Sequence, residues 1–288
     1  MIIDTHCHAW RNWPYDTQVP DPSTRGSIEA LLYEMDAHGV DHSMVVCARI
    51  GGGQGGDGYA NEDNNEYVLE AAAAHPDRIT AWIDVDCAWR PDHHAPGAAQ
   101  RLHEALDQTG ASGFTHYFAG DNDGWLRTNG GRDFFRVAAD AGVLASLALS
   151  SSWLPDLSDI AEEFPELPIL IHHMSQPSRG EQRTQDISRI VALAEHPSIG
   201  VKISGFNYNA ETYWDFPYPS SIELFRTLLK AFGTERLYWG SDFPASRDQL
   251  TYRQSIDVLR THCAFAGEDA IARILGGNAQ RFLTSTTR

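Results

Sequence analysis

The sequence has few cysteines, no long apolar run and a shortage of basic residues. Its four cysteines, Cys7, Cys47, Cys87 and Cys263, form no C-x-x-C pair, so we expect reduced and buried thiols and no disulfide framework. No apolar stretch approaches the roughly 18 residues of a membrane span, and no signal-peptide pattern opens the chain. These absences predict a cytoplasmic protein with no membrane partner.

The charge balance narrows the class of partner. Lys and Arg number 22 against 39 Asp and Glu, which gives a formal net charge of -17. Such a field repels polyanions, so we expect no binding to nucleic acid or anionic membranes. A small-molecule substrate remains compatible with this charge, even an anionic one held by local arginines. The sequence leaves the oligomeric state open, a homo-oligomer included.

Eight short, apolar runs recur along the 288 residues, each of a length suited to a buried strand. They lie at 2–6, 43–49, 79–86, 112–118, 143–149, 168–174, 199–205 and 236–243. Helical patterns that stop at Gly or Pro separate them, and two further helices are expected at about 250–266 and 268–283. This alternation is typical of a single (β/α)8 (TIM) barrel and predicts one domain over residues 1–288. An open doubly wound sheet is the alternative, but the glycine-rich stretch 51–58 lacks the spacing of a dinucleotide or P-loop motif.

Three of the expected strands end in residues of the type that bind metals. Strand 1 supplies His6 and His8, strand 6 supplies His172 and His173, and strand 8 supplies Asp242. Active sites of such barrels lie at the C-terminal ends of the strands. Side chains two residues apart on a strand point the same way, so His6 and His8 should converge, with Cys7 facing the helices. Imidazole and carboxylate ligands with an open position are typical of catalytic zinc.

Longer motifs make the chain resemble the amidohydrolase superfamily. The matching segments are IIDTHCHAW, GFTHYF, ILIHHMSQP, VKISG, RLYWGSDFP and GGNAQRFL, in family order along almost the whole chain. Within that superfamily the sequence is similar to the amidohydrolase 2 branch, which includes sugar-acid lactonases, pyrone-dicarboxylate lactonase and related decarboxylases. The resemblance implies a TIM-barrel enzyme that hydrolyses a small cyclic ester.

The resemblance also implies roles for particular residues. His6, His8, His173 and Asp242 correspond to ligands of one divalent ion, with zinc expected, although some lactonases of this branch work without metal. Asp242 corresponds to the residue that shuttles the proton, and His173 is expected to take part in catalysis. His116 on strand 4 is expected to act as a second electrophile or acid. No histidine stands in strand 5 and no lysine in strand 4, so a binuclear site is not expected.

Substrate contacts are expected near the strand ends. Sugar lactonases often read G-[VI]-R-H on strand 4, where this chain has Gly113 to His116 and lacks the arginine. The expected contacts are Arg49, His116, Tyr117, Arg183, Lys202 and Arg247. Arginine suits this role because it binds carboxylates through two hydrogen bonds.

Two enzyme functions and one binding function remain open. The first is metal-assisted hydrolysis of a lactone of a small carboxylate or sugar acid, with Asp242 as general base. The second is a decarboxylase or hydratase acting on a small aromatic or unsaturated acid. The missing strand-5 histidine counts against the decarboxylase. The third is a non-catalytic ligand-binding barrel, which would not explain why His6, His8, His173 and Asp242 occur together at the strand ends.

Overall fold

The computed structural model describes residues 1–284 and contains eight parallel strands in the order β1 to β8. Neighbouring strands pair in sequence order; β4 and β5, for example, pair from Gly113 with Leu144 to Tyr117 with Ala148. The predicted (β/α)8 barrel is therefore confirmed. The strands are Ile3–Cys7, His42–Val46, Ile79–Asp84, Gly113–Tyr117, Leu144–Ala148, Ile169–Ile171, Ile199–Ile203 and Leu237–Trp239.

Helices follow each strand and cover the outside of the barrel. Helices α1 to α6 are Ile28–His38, Asn64–Ala74, Ala98–Thr109, Asn129–Ala141, Leu154–Glu163 and Arg183–Ala192. The short α7 (Phe206–Asn209) precedes α8 (Pro219–Phe232), and the chain ends with α9 (Tyr252–Asp257), α10 (Glu268–Ala272) and α11 (Gln280–Thr284). The two continuous helices expected at the end are instead broken by π-helical turns at Val258–His262 and Arg273–Gly277.

Hydrogen bonds from the region after β8 close the barrel against β1. The Thr5 hydroxyl donates to the Trp239 carbonyl at 2.7 Å. Farther toward the C-terminal ends, the Asp242 amide donates to the His6 carbonyl at 2.7 Å, and the His8 amide donates to the Phe243 carbonyl at 2.6 Å. These bonds fix the backbone of Asp242 directly beside the two histidines of β1.

The barrel interior is packed at its lower end and polar at its upper end. Ile3, Met44, Trp82, Leu170 and Tyr238 belong to one buried cluster inside the barrel, so this end is a core and not a channel. All four cysteines are buried and free, as expected. No helix of the described part of the chain is long and apolar enough to cross a membrane.

Candidate active site

Three histidines surround one carboxylate oxygen at the C-terminal mouth of the barrel. The Nε2 atoms of His6, His8 and His173 lie 3.4, 3.6 and 3.8 Å from Oδ1 of Asp242. All four side chains are nearly inaccessible to solvent. The residues predicted from strands 1, 6 and 8 are therefore brought together, and His6, His8 and Asp242 have the spacing of a metal-binding group.

A bulge in β1 orients its two histidines. Ile3 packs inside the barrel, and strict alternation would turn His6 outward three residues later. The register of β1 against β2 shifts between Asp4 and Cys7, and such an extra residue reverses the phase of the strand. His6 and His8 consequently both face the interior.

Glycines allow the strand ends to approach each other closely. A Cβ atom on Gly240 would lie 2.5 Å from the Cβ of His6, and one on Gly205 would lie 3.0 Å from the Cβ of His173. Real Cβ atoms do not approach at the first of these distances, so β8 can reach His6 only with glycine at position 240.

The backbone is strained where β6 and β8 end. His173, Met174, Ser175 and Gln176 have successive φ values of 50°, 55°, 60° and 42°, and Asp242 has a φ of 57°. Left-handed φ values are costly for residues other than glycine and tend to cluster at active sites. Here the strained turns place the His173 and Asp242 side chains over the barrel mouth.

Hydrogen bonds at Nδ1 orient the rings of His8 and His173. His8 Nδ1 donates to the Val46 carbonyl at 2.7 Å, so Nε2 is the atom left to bind an ion. His173 Nδ1 lies 2.9 Å from the Ser204 hydroxyl. Burial lowers the pKa of His173 to about 4, so this ring is neutral at pH 7. Oriented, neutral imidazoles of this kind are suited to bind a divalent ion.

Lys202 lies beneath His6 and contacts the Nδ1 atom of its ring, which affects which ring nitrogen carries the hydrogen. Its Nζ is 3.1 Å from His6 Nδ1 and donates to the Ser146 hydroxyl at 2.6 Å. Burial lowers the pKa of Lys202 well below its ordinary value, and in its neutral form the amine can accept a hydrogen bond from the Nδ1–H of His6. His6 Nε2 is buried and has no hydrogen-bond partner. An unpartnered nitrogen beside an ionised carboxylate fits a metal ligand.

Asp242 is held by a tyrosine on its other oxygen. The Tyr208 hydroxyl donates to Asp242 Oδ2 at 2.5 Å. Burial alone would raise the pKa of Asp242, but His173, His8 and this hydrogen bond outweigh it and lower the pKa below its usual value. The carboxylate is therefore ionised at neutral pH and can accept a proton or bind a cation.

A cavity of about 420 Å³ opens above the cluster. His8, His172, His173, Tyr208 and Asp242 line its floor. The remaining lining side chains are aromatic, small or uncharged and come from strand ends and the loops after them, among them Tyr15, Tyr117, Phe118, Ser150, Ser175 and Gln176. Among the described lining residues Asp242 is the one acid, and none is Lys or Arg.

The structure does not support the catalytic role predicted for His116. On β4, Gly113 abuts Trp82 in the interior and Tyr117 lines the cavity. Because side chains alternate, His116 points to the opposite face, where its ring packs against Phe134 of α4 at a centroid distance of 5.3 Å. Tyr117 is thus the residue of this pair placed to contact a substrate.

The predicted cationic substrate contacts also lie away from the cavity. Arg49 pairs with the buried Asp84 at 3.4 Å. Arg183 and Arg247 donate to the backbone carbonyls of Ser220 and Arg25. Lys202 is fully buried and stops below His6. Each of these cations is engaged in internal contacts, and none lines the cavity.

Two residues near the predicted set had no assigned role. Tyr208 bonds directly to Asp242, although no motif of the sequence singles it out. His172 lines the cavity, its Nε2 lies 2.7 Å from the Ser146 hydroxyl, and its buried Nδ1 has no partner. The doubled histidine of strand 6 was a usable signal for His172, whereas no spacing rule identifies Tyr208.

A (β/α)8 barrel with histidines and an aspartate converging at its C-terminal mouth defines a class of enzymes that act at such centres. The chain belongs to the amidohydrolase family, whose sequence model (Amidohydro_2) matches residues 3–284. The protein is accordingly an enzyme of the amidohydrolase superfamily.

Similar proteins include lactonases and other members of this fold. A curated relative, L-fucono-1,5-lactonase from Burkholderia ambifaria, is 26% identical and aligns over 97% of this chain and 94% of its own. An amidohydrolase structure from Burkholderia multivorans with bound zinc has a TM-score of 0.72 at 18% identity and 99% coverage of both chains. A protein described as a probable 2-pyrone-4,6-dicarboxylic acid hydrolase from Acinetobacter baumannii has a TM-score of 0.72 at 21% identity, covering 98% and 99%. Decarboxylases also share the fold.

Proposed function

We propose that the protein hydrolyses the lactone of a sugar acid, assisted by one divalent ion, with zinc the best match to the donors. The convergence of three imidazoles on Oδ1 of Asp242 at the floor of the cavity carries this proposal. His6, His8 and Asp242 would hold the ion, and His173 approaches the same oxygen from β6. The similarity to a curated L-fucono-1,5-lactonase agrees with this reaction class.

The uncharged lining favours a neutral lactone over one that carries further carboxylates. A sugar-acid lactone has its carboxyl group tied up in the ring ester, so it brings hydroxyls and no charge into the cavity. The cavity offers partners for hydroxyls through Tyr117, Gln176, Ser150 and His172. A dicarboxylate would lack a cationic side chain there and would face the ionised Asp242.

The proposed reaction adds water to the lactone carbonyl and breaks the ring C–O bond. A bound divalent ion would supply Lewis acidity at the carbonyl and lower the pKa of water to about 7. Asp242 accepts the proton of the attacking water and then transfers it to the ring oxygen, which leaves as a hydroxyl. Tyr208 holds the Asp242 carboxylate in place at 2.5 Å during both transfers. The product is a hydroxy acid, which ionises at neutral pH.

The unpartnered Nδ1 of His172 can take the role first assigned to His116. It belongs to a residue on the cavity floor, and its ring is fixed from behind by Ser146, which is bonded to Lys202. Burial lowers the pKa of His172 well below its usual value. The Nδ1 atom is buried in the structure, so the ring would turn toward the cavity to hydrogen-bond a substrate oxygen and position a bound lactone.

A paired substrate panel tests the proposal. Each neutral sugar lactone is compared with a matching lactone that carries an added carboxylate. Hydrolysis is followed as proton release with a pH indicator in weakly buffered solution. The enzyme is assayed as purified, after removal of metal by a chelator, and after zinc is added back. We expect acid release that depends on the metal and a higher kcat/KM for the neutral member of each pair. Carbon dioxide release from an aromatic acid, with no lactone opened, would favour the decarboxylase alternative. A clear preference for the carboxylated lactone would refute the neutral-substrate argument.

A further inference from the structure

A second histidine cluster lies on the helix-facing side of the barrel. His93 and His94 belong to the segment between β3 and α3, His116 lies on β4, and Asp86 follows β3. Their potential ligand atoms all lie within 4.8 Å of one another. None of these residues lines the cavity at the barrel mouth, so the cluster is distinct from the candidate active site.

Each of the three rings is held in the same tautomer. In every case Nδ1 faces an oxygen that can only accept a hydrogen bond, so Nδ1 carries the hydrogen and the neutral ring presents a lone pair on Nε2. The contacts are His93 with the Asp86 carbonyl at 2.6 Å, His94 with the Asp123 carboxylate at 2.9 Å and His116 with the Val85 carbonyl at 3.0 Å. This pattern of outer hydrogen bonds is usual for histidines that bind metals.

The Nε2 atoms of His94 and His116 face each other. Nε2 of His94 lies 3.2 Å from Nε2 of His116, and two lone pairs at this distance repel unless a cation lies between them. Two nitrogens on one tetrahedral zinc at about 2.0–2.1 Å are about 3.4 Å apart. Nε2 of His93 is buried and has no hydrogen-bond partner. The His93 ring is stacked on that of His94 at a centroid distance of 3.6 Å, and a turn of this ring would let one metal ion bind all three nitrogens.

A proton shared between the rings explains the arrangement less well. It would require one ring to be an imidazolium, and it would leave the buried Nε2 of His93 without a partner. The His94 ring is also stacked on Trp125 at a centroid distance of 3.9 Å. A metal ion, by contrast, would lie within reach of all three rings, whose ligand atoms are within 4.8 Å of one another.

Asp86 organises the segment that carries the cluster. Its carboxylate accepts the His94 backbone N–H at 2.9 Å and pairs with Arg101 of α3. Asp86 and His94 both have a left-handed φ of 55°, a conformation that surrounding contacts must maintain. The Asp86 carboxylate also offers a ligand atom within 4.8 Å of a nitrogen of each of the three rings.

We propose that His93, His94 and His116, with the Asp86 carboxylate or a water as fourth ligand, bind a second zinc ion at a structural site. The ion would fasten the segment after β3 to β4. Trp89 of that segment packs on Tyr117 at a centroid distance of 4.6 Å, so this site also supports one wall of the cavity. The proposal holds whichever reaction takes place at the barrel mouth.

Metal stoichiometry of the full-length protein tests the proposal. Stripped protein is titrated with zinc, and bound metal is measured by elemental analysis in the wild type, His93→Gln, His8→Gln and the control His103→Gln, an exposed histidine of α3. We expect two ions in the wild type and the control and one ion in each of the other variants. Cobalt substitution provides a second readout, because His8→Gln should retain a tetrahedral cobalt spectrum that the double variant His8→Gln/His93→Gln loses.

The two variants separate this site from the mouth site. His93 is partly exposed, so we expect the fold to tolerate its replacement; circular dichroism checks this in each sample. In the His8→Gln background, His93→Gln should raise the zinc dissociation constant at least about 100-fold, the upper end of the effect of outer-shell changes. If the wild type binds only one zinc ion and His93→Gln binds zinc as tightly as the wild type, the proposal is overturned.

Discussion

Replacing Asp242 with Asn separates its two proposed functions, proton acceptor and metal ligand. The carboxylate uses Oδ2 to accept from Tyr208 at 2.5 Å and presents Oδ1 to three imidazole nitrogens at 3.4–3.8 Å. An asparagine that keeps the bond to Tyr208 must turn its NH₂ group toward those nitrogens. Size and one hydrogen bond are preserved, but the acceptor for the water proton is lost.

The expected loss follows from that geometry. General-base catalysis contributes about 10²- to 10⁴-fold to a rate, so kcat of Asp242→Asn should fall by at least about 100-fold, or roughly 2.7 kcal/mol in the activation barrier. Substrate contacts of the cavity walls are untouched, so KM should change little. Initial rates on the preferred lactone and the zinc content of the same samples are measured together. Asp269→Asn, which alters an exposed carboxylate of α10, is the matched control and should behave as the wild type.

The two readouts give three distinguishable results. A fall in kcat with zinc content retained supports the general-base assignment. A parallel fall of zinc content and kcat, reversed by excess zinc, would show that Asp242 acts chiefly as a ligand. Wild-type turnover in Asp242→Asn would refute both roles, and the neutral imidazoles of the cluster would then have to accept the proton.

Three further predictions concern the residues that support the site. Tyr208→Phe removes a hydrogen bond to a charged group worth about 1.5–3 kcal/mol, so kcat should fall roughly 10-fold or more while zinc content stays constant; unchanged kcat would contradict a positioning role. Gly240→Ala places a Cβ 2.5 Å from that of His6 and should cost about 1–3 kcal/mol of unfolding free energy, measured by urea denaturation, together with activity. Arg49→Gln leaves the buried Asp84 unpaired and should cost roughly 2–3 kcal/mol of unfolding free energy, allowing for the partial exposure of the arginine; a raised KM at unchanged stability would instead restore Arg49 as a substrate contact.

The barrel and the position of its active centre were predictable because both follow from periodicity. Short strands alternating with amphipathic helices leave few other folds, and the strand ends of such a barrel converge at one mouth. The convergence of His6, His8, His173 and Asp242 was predictable because each lies at or just after the end of a strand. The sequence does not show the bulge that turns His6 inward. The prediction that His6 and His8 point the same way still holds, because the bulge reverses the orientation of both residues.

The structure places His116 and the arginines away from the cavity. Their positions depend on the phase of a strand or the path of a loop, which the sequence does not give. His116 and Tyr117 are adjacent, so one faces the cavity and the other faces the helices, and the sequence does not say which. The close approach of Gly113 to Trp82 in the interior sets that phase. The arginines were placed by their distance from strand ends, yet Arg49 is drawn to the buried Asp84, a partner on another strand.

The two histidine clusters show why counting histidines cannot identify a metal site. What decides whether a ring can bind an ion is the partner of its Nδ1 atom, since an accepting oxygen there leaves the lone pair on Nε2. His8 meets this condition through the Val46 carbonyl, and His116 meets it through the Val85 carbonyl. In both cases the partner is a backbone oxygen of a neighbouring strand, which any residue type could supply. The H-x-H pattern of β1 predicted the first cluster, whereas the second emerged only when the fold brought β3, β4 and their connecting segment together.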